Sequence, residues 1–475
     1  ELIRRRRPDF TVDRIPLDDA ATANTLSLAH SIGCFQVESP GMRFTLRELA
    51  VHNIGDLIAA LALYRPGPLK GGLKDAFVRR HLGQEATEYL HPALEPILCE
   101  TYGVILYQEQ VLRIAHEVAG LTLGEADMLR RAMSKFRSAH EMEQLRLQFI
   151  GGAQSASGID APTAGAIWDL MAAFAGYGFP KAHAAGYGVV AYRMAYLKTH
   201  YPAEFFAARL AVWGGFYSPR VYMSEARHLG LSVRPPHVNH SREAFTLDPD
   251  DGKTLWMGLG QVRDLTRATI QTIVEQQPFT AFDDFLIRAR PLYGEAINLI
   301  KAGALDGFGS APELLAKVER ARWHGPHTAQ LSLMVAESSI STYAASIAER
   351  AAWEREVLGT LVSVHPLQLV TDTIVSPALI QSTELGAHVD RAVTLRGVRL
   401  AAHRFRSASQ ESMLLVDMED LSGGYQVLWG RAALRDYRAV LNQREPVLIR
   451  GRVRRDRRGQ LIVVGVEISV LAPRE

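Results

Sequence analysis

The sequence predicts a multidomain α+β protein that is mostly helical as far as residue 387 and all-β from residue 388. Two observations predict this division. Apolar residues recur with helical spacing over 46–210, and Pro66 must end the apolar helix at 57–64 because proline cannot continue a helix. From residue 388 the pattern changes to short apolar stretches separated by turn residues, which is typical of strands.

Composition limits the class of protein. With 475 residues the chain can form roughly two to four domains. Its 53 Lys+Arg residues nearly balance its 51 Asp+Glu residues, so a nucleic-acid-binding surface must be a local patch. Cys34 and Cys99 are the only cysteines, which argues against a disulfide framework and a cysteine-based zinc site.

The ends and the hydropathy of the chain indicate its location. No apolar run is long enough to span a bilayer, and residues 1–7 do not form a signal peptide. We therefore expect no membrane partner and a cytoplasmic location. The chain has no initiator methionine, so we expect it to be a piece of a longer protein.

The first 45 residues contain two predicted strands. Over 9–13, Asp9 and Asp13 would lie on one face of a strand, where paired carboxylates could bind two metal ions. The adjacent segment 15–19 is a helix-start signal, which disfavours that interpretation. The stretch 32–43 predicts a buried strand that runs into a turn at Ser-Pro-Gly.

The glycine-rich passage 174–187 joins a loop to a helix. Its glycines allow a tight turn, Pro180 fixes the entry, and Lys181 and His183 lie in the first turn of the helix that follows. A helix N-terminus beside cationic side chains attracts anions, so we expect an anion site here. The alternative is a glycine-rich helix start that only packs.

A second basic cluster lies on the predicted helix 127–135. Arg131 and Lys135 are four residues apart on one face, and Arg130 lies about 100° away. Asp127 is the one acidic partner at a suitable spacing. The cluster therefore predicts a clamp for a triphosphate, and a solvated basic face is the alternative.

Two further stretches lie in the same helical region. Arg65 opens a rigid Arg-Pro-Gly-Pro loop at the end of a helix. Residues 102–110 predict a bend followed by a helix, with Gln108 and Gln110 near its start.

A phosphate-binding turn is predicted in the segment 257–263. Gly258 and Gly260 form a Gly-x-Gly turn between predicted helices, which is typical of a helix-hairpin-helix element. Backbone N–H groups of such a turn, together with Arg263, would bind a phosphate without reading base sequence. The stretch 297–306 predicts a second helix and turn, at a spacing that suits a paired module.

The last region predicts five strands with one helical segment between the third and the fourth. This order is that of an OB barrel. The turn between the last two strands is basic and suits a phosphate backbone, although a solubilising turn is the alternative. The strands are 393–400, 413–417, 425–429, 446–451 and 461–465, the helical segment is 431–441, and the basic residues are Arg454, Arg455, Arg457 and Arg458.

Six motifs follow one another along the chain. They are Phe35-Gln-Val-Glu-Ser-x-Gly-Met, Arg65-Pro-Gly-Pro, Tyr102-Gly-Val-Ile-Leu-Tyr-Gln-Glu-Gln, Ala126-Asp-Met-Leu-Arg-Arg-Ala-Met, Phe174-Ala-Gly-Tyr-Gly-Phe-x-Lys-x-His and Leu197-Lys-x-His-Tyr-Pro-Ala-Glu-Phe. Together they resemble the bacterial C-family replicative polymerases, the DNA polymerase III α subunits of DnaE type. The resemblance covers essentially the whole chain.

The resemblance implies template-directed DNA synthesis from dNTPs, in which this chain contacts the triphosphate and grips primer–template DNA. It implies nucleotide contacts from Arg65, Arg130, Arg131, Lys181 and His183. The implied parts are the end of the palm with its connection (1–45), the fingers (46–245), a tandem helix-hairpin-helix region (246–310), a helical linker (311–387) and an OB domain (388–475).

The resemblance also implies that the Mg²⁺-binding palm aspartates lie upstream of residue 15. Asp9 and Asp13 imitate the palm motif, but Thr11 stands where its second aspartate belongs. We therefore expect no catalytic residue, metal or cofactor in this chain, which alone would be inactive, and Mg²⁺ only in the full-length polymerase. The alternative is a nucleic-acid-binding protein that has lost catalysis and keeps the helix-hairpin-helix and OB modules.

Partner binding is predicted from the segment after the helix-hairpin-helix region. There the resemblance implies a sliding-clamp peptide at Gln330, Leu333 and Met334, although one turn of an amphipathic helix is the alternative. Met334 replaces the aromatic anchor and loses more rotamer entropy on binding than phenylalanine would. Other replisome or mutasome subunits are further expected partners. The chain stops at the barrel, which is compatible with an error-prone paralogue used in DNA repair and translesion synthesis.

Overall fold

The computed structural model describes most of the chain in two compact units, Glu1–Tyr201 and Pro202–Glu475. The first unit is helical, and the second joins helices to a closed β-barrel. None of the helices in the described part of the chain is long and apolar enough to cross a membrane. The described residues are 1–64, 73–134, 139–175, 178–212, 214–320, 344–370, 379–407, 411–443, 445–456 and 459–473.

The first unit consists of helices and the turns that connect them. A π-helical turn, Ile114–Val118, continues the seventh helix. The helices are α1 (Leu2–Arg6), α2 (Ala20–Ser27), α3 (Pro40–Leu49), α4 (Ile54–Leu63), α5 (Leu73–His81), α6 (Glu95–Leu98), α7 (Gln108–Arg113), α8 (Leu123–Ser134), α9 (Ala139–Ser157), α10 (Ala161–Ala175) and α11 (Lys181–His200).

Helix α11 is the longest element of this unit and is fixed at both of its flanks. Gly188 of α11 packs so closely against Ile58 of α4 that a Cβ at residue 188 would lie 2.7 Å from Ile58 Cγ1. At the far end, the buried Lys198 ammonium donates to the carbonyls of His30 and Ile32 at 2.7 and 2.9 Å. These contacts hold α11 in place, and residues 181–187 of this helix belong to the glycine-rich passage.

The two strands predicted in the first 45 residues are wrong. Residues Val12–Arg14 form a single 3₁₀ turn, and Asp13 accepts a hydrogen bond of 3.0 Å from Arg193 Nη1. Residues 32–39 form turns, because Gly33 N–H donates to the Glu38 carboxylate at 2.9 Å and closes the segment locally. The Ser-Pro-Gly sequence starts α3, with the Ser39 hydroxyl as N-cap and proline in the first turn.

The helical part of the second unit carries a small three-stranded sheet of order β1-β3-β2, in which β1 and β3 are parallel. The predicted helix and turn at 297–306 is confirmed, since α16 ends at Lys301 and Gly303 has a φ of +77°. The elements are α12 (Pro202–Ala211), α13 (Pro219–His228), β1 (Ser232–Arg234), β2 (Thr246–Leu247), β3 (Thr254–Trp256), α14 (Arg267–Gln276), α15 (Phe282–Ala289), α16 (Tyr293–Lys301), α17 (Ala311–Arg320) and α18 (Ile347–Leu358).

The C-terminal barrel confirms the predicted α+β class. Its strands run in the order β4-β5-β6-β8-β7 and close through the β4–β7 pair, with β6 and β8 parallel. This is the topology of an OB barrel, and its core contains Leu395, Trp429 and Ile449. The elements are β4 (Ala392–Arg406), β5 (Ser412–Glu419), β6 (Gly424–Trp429), α19 (Arg431–Asp436), α20 (Arg438–Asn442), β7 (Val447–Arg455) and β8 (Leu461–Val470).

A buried carboxylate at the end of β5 joins the barrel to the helices of the second unit. Glu419 is 4% exposed and accepts hydrogen bonds from Arg220 and Ser224 of α13. His365 Nε2 lies 3.5 Å from Glu419 Oε1. Burial would raise the pKa of the Glu419 carboxyl, but His365, Arg220 and Ser224 together lower that pKa below its ordinary value. We call this contact the barrel anchor.

Candidate functional site

The glycine-rich passage is held against the start of α7. Tyr107 and Phe179 form a parallel β-bridge, and Gln108 N–H donates to the Phe179 carbonyl at 2.9 Å. The Gln108 side chain binds the same passage, since its Nε2 donates to the Gly178 carbonyl at 2.9 Å. The start of α7 therefore fixes the backbone that leads into α11.

The buried Gln110 explains why the bend before α7 has its shape. Its Oε1 accepts hydrogen bonds from the N–H groups of Leu106 and Tyr107 at 2.8 and 2.9 Å. Its Nε2 donates to Thr101 Oγ1 at 2.7 Å. With Gln110 turned inward, Gln108 and Glu109 lie on the accessible side of the same turn.

The Asp127 carboxylate joins Arg130 to Arg131 on α8, and the Gln108 amide joins Arg130 to the start of α7. Asp127 Oδ1 accepts from Arg130 Nε at 3.0 Å, and Asp127 Oδ2 lies 2.7 Å from Arg131 Nε. Arg130 also donates from Nη1 to Gln108 Oε1 at 2.9 Å. Hydrogen bonds from Arg130, together with the charge of Arg131, lower the pKa of Asp127.

Lys181 lies in the first turn of α11, beside the same bend. Its Nζ donates to both oxygens of Glu100, at 2.8 and 2.7 Å. Its backbone N–H lies 2.9 Å from each oxygen of Glu109. The ammonium also lies 5.5 Å from the centroid of the Tyr107 ring, a cation–π distance.

His183 belongs to a row of aromatic rings along one face of α11. Its ring centroid is 5.3 Å from that of Phe179 and 4.2 Å from that of Tyr187. Tyr187 in turn stacks on Phe35 at 5.2 Å. His183 is exposed, so one edge of this row faces solvent.

The structure thus gathers Arg130, Arg131 and Lys181 around the backbone passage at 178–181, and we call these three residues the cationic cluster. His183 follows Lys181 in the first turn of α11. Seven residues with predicted roles lie outside the described residues. They are Arg65, Lys135, Gln330, Leu333, Met334, Arg457 and Arg458.

The predicted Gly-x-Gly turn does not lie between two helices. Gly258 and Gly260 follow β3 and enter a 3₁₀ turn, Leu259–Gln261. The N–H groups of Leu259 and Gly260 donate to the carbonyls of Arg242 and Glu243, at 2.8 and 2.9 Å. The glycines allow this close approach, because a Cβ at Gly258 would lie 2.3 Å from the Glu243 carbonyl oxygen.

Cationic side chains remain accessible in the second unit. Arg263 is exposed and, among the residues that the structure covers, makes no side-chain hydrogen bond or ion pair. In the β7–β8 hairpin, Arg454 pairs with Asp390, and Arg455 Nη1 donates to the Gly459 carbonyl at 2.8 Å. The Arg454 side chain is 48% exposed, so a ligand can still reach it.

Asp9 and Asp13 do not lie on one face of a strand, as a metal site built from these paired carboxylates would require. Within the described ranges, no group of three or more His, Cys, Asp or Glu side chains is placed to hold a metal ion. Asp13 is paired with Arg193, and Asp9 is an isolated exposed residue before the turn.

Sequence reasoning missed two acidic residues of the site. Glu100 and Glu109 lie 81 and 72 residues before their partner Lys181, so no local spacing connects them. Asp127, which is only three and four residues from the arginines, could be identified from the sequence.

The chain is similar to known proteins over most of its length. The family model described as "Bacterial DNA polymerase III alpha subunit finger domain" matches residues 1–157, and a helix-hairpin-helix motif matches residues 230–314. A DNA polymerase III subunit alpha of Pseudomonas aeruginosa is 36% identical over 94% of this chain and 41% of its own length. Its counterpart in Thermus aquaticus is 40% identical over 76% of this chain and 31% of its own length. The chain thus spans less than half of the length of these relatives.

Proposed function

Because the chain belongs to the family of bacterial DNA polymerase III alpha subunits, we propose that it is the nucleotide-handling and DNA-binding part of a template-directed DNA polymerase. The observation that carries this proposal is the cationic cluster. Residues from three separate motifs converge there on the backbone passage at 178–181. A pure DNA-binding protein has no use for such an arrangement at a helix N-terminus.

Within the cationic cluster we propose that Arg130, Arg131 and Lys181 bind the triphosphate, with His183 beside the nucleotide and Arg65 in the same cleft. Arginine forks and an ammonium group give strong, charge-assisted hydrogen bonds to phosphate oxygens. The hydrogen bond from Arg130 to Gln108 supports the role of Arg130, because Gln108 also binds the Gly178 carbonyl, three residues before Lys181.

The experiment for this assignment is steady-state nucleotide incorporation by a polymerase that contains this chain. Arg131→Ala should lower kcat/KM for dNTPs about tenfold or more, since a charge-assisted bond to phosphate contributes roughly 1.5–3 kcal/mol. The matched control is Arg146→Ala on α9, which removes a half-buried arginine paired with Glu143 at 3.2 Å. Equal kinetics of Arg131→Ala and the parent would sink the assignment.

We propose that Arg263 and the basic β7–β8 hairpin, with Arg454, Arg455, Arg457 and Arg458, bind the phosphate backbone of primer–template DNA. Gly258 and Gly260 would support this surface by shaping the backbone before Arg263, since two N–H groups of that turn are already bonded internally. Such contacts give affinity without base readout and a steep dependence on salt.

Neutralising the hairpin arginines together should weaken DNA binding and flatten the plot of log affinity against log salt. Fluorescence anisotropy with a duplex of arbitrary sequence measures this slope. A variant that lacks the described residues Arg263, Arg454 and Arg455 is then compared with a charge-matched control that instead lacks three arginines outside this surface, Arg79, Arg113 and Arg146. A slope that is the same in both sets would contradict the proposed DNA surface.

We further propose the domain division expected from the sequence, with fingers over 46–245, paired helix-hairpin-helix elements over 246–310 and the OB domain from 388. Mg²⁺ would then be held by carboxylates elsewhere in the whole polymerase. A sliding clamp is a proposed partner through Gln330, Leu333 and Met334. Titration of a peptide spanning 326–338 against a clamp tests that contact, and absent binding by its Met334→Phe variant would rule it out.

A further inference from the structure

The cations of the cationic cluster each face a carboxylate. The Lys181 ammonium contacts both oxygens of Glu100, and the first N–H of α11 contacts both oxygens of Glu109. A carboxylate at a helix N-terminus occupies the place where a phosphate would otherwise bind. The anion-binding end of α11 is thus already filled from within the chain.

The two arginines both pair with a single carboxylate, that of Asp127. Asp127 accepts from Arg130 Nε and Nη2 with one oxygen, at 3.0 and 2.9 Å, and pairs with Arg131 through the other. We call Glu100, Glu109 and Asp127 the internal counter-ions. Two of these carboxylates, Glu100 and Asp127, pair with the three cationic side chains, and the third, Glu109, contacts the first N–H of α11.

These contacts are accessible to solvent. The side chains of Lys181 and Glu100 are 44% and 47% exposed, and those of Arg131 and Asp127 are 66% and 34% exposed. Exposed ion pairs are weak because water and salt screen them and because long side chains lose entropy on pairing. A polyanion that reaches the cluster can therefore exchange with the carboxylates without unfolding any helix.

Resting on the function proposed above, we propose that the internal counter-ions make the cluster selective for triphosphates by requiring a ligand to replace three carboxylates at once. A triphosphate carries enough charge and enough oxygens to satisfy Lys181, the two arginines and the α11 N-terminus together. Inorganic phosphate or pyrophosphate replaces only part of the set and leaves cations paired as before. The carboxylates thus act on specificity rather than on folding.

Competing carboxylates and merely supporting carboxylates predict opposite changes in ligand affinity when their charge is removed. If the internal counter-ions compete with the ligand, removing their charge strengthens binding, and it does so most for the ligands with the fewest charges. If they only hold the cations in place, removing their charge weakens binding of every ligand. Gln and Asn replacements suit this test, since they keep the shape and an acceptor oxygen while removing the charge.

The test is calorimetric titration of the 475-residue chain with inorganic tripolyphosphate, pyrophosphate and phosphate. Each replacement among Glu100→Gln, Glu109→Gln and Asp127→Asn should lower the Kd for pyrophosphate by up to about fivefold, the range of an exposed ion pair. The triple variant should narrow the ratio of affinities for tripolyphosphate and pyrophosphate. Glu143→Gln on α9, which is 55% exposed and pairs with Arg146, is the matched control and should change nothing.

A second pair of variants separates this proposal from the function it rests on. The double variant Arg131→Ala with Lys181→Ala should bind tripolyphosphate more weakly than the parent does. If that double variant binds as the parent does, or if the parent itself does not bind, the triphosphate site falls. If the double variant weakens binding but the triple carboxylate variant gains none, or also weakens, only the counter-ion proposal is overturned.

Discussion

The cationic cluster and the barrel anchor use the same chemical groups at different depths. In the cluster, Asp127 and Arg131 pair with each other, and their side chains are 34% and 66% exposed. In the anchor, Glu419 and Arg220 pair with each other, and their side chains are 5% and 22% exposed. An exposed pair can open to a competing anion, whereas a buried pair cannot lose one partner without leaving a charge in the protein interior. Burial therefore separates a replaceable contact from a structural one.

The largest expected effect is at the barrel anchor. Glu419→Ala should destabilise the second unit by about 3 kcal/mol or more, because Arg220 would keep a desolvated charge without its carboxylate. Urea-induced unfolding followed by circular dichroism measures this loss. The control is Glu467→Ala on β8, whose carboxylate pairs with Arg450 at 3.2 Å and is 53% exposed. Equal losses for the two variants would contradict the assigned importance of burial.

The anchor should also respond to pH in one direction. The pKa of Glu419 is lower in the folded protein than its ordinary value. A carboxylate of this kind stabilises the fold above its unfolded pKa, about 4.3, and loses that contribution as the pH falls through the folded pKa. The stability difference between the parent and Glu419→Gln should therefore be full at neutral pH and shrink below about pH 4. A difference that grows on acidification would show that the carboxylate is held protonated.

The smallest expected effect is at Asp127. Asp127→Asn should leave the midpoint of thermal unfolding unchanged within error, because its partners Arg130 and Arg131 regain water when the charge is lost. The same variant should bind pyrophosphate more tightly than the parent does. Differential scanning calorimetry beside the titrations described above makes this comparison. A drop in the unfolding midpoint comparable to that of Glu419→Ala would show that the cluster is structural.

The barrel and the basic cluster follow from the sequence because their signals are local. Apolar runs between turn residues predict the strands β4–β8. The helical geometry of α8 places Arg130 and Arg131 at fixed angles around one helix. The entry to α11 is likewise local, since Pro180 and the lysine after it define its first turn.

What the sequence could not supply is the set of long-range partners. The contacts of Glu100, Glu109 and Gln108 with the loop at 178–181 depend on how α7 packs, which no spacing encodes. The strand predicted at 9–13 fails for a related reason. Alternation alone cannot form a strand without a neighbour, and Asp13 instead pairs with Arg193 of α11.

Triphosphate binding by the cationic cluster is tested most directly by a structure of a polymerase that contains this chain, bound to primer–template DNA and a nonhydrolysable dNTP. We predict triphosphate oxygens within hydrogen-bond distance of Lys181 Nζ and of the Arg130 and Arg131 guanidinium groups, with the Glu100 and Asp127 carboxylates displaced. A nucleotide bound elsewhere, with the ion pairs of Lys181 and Arg131 intact, would show that the cationic cluster is not the nucleotide site.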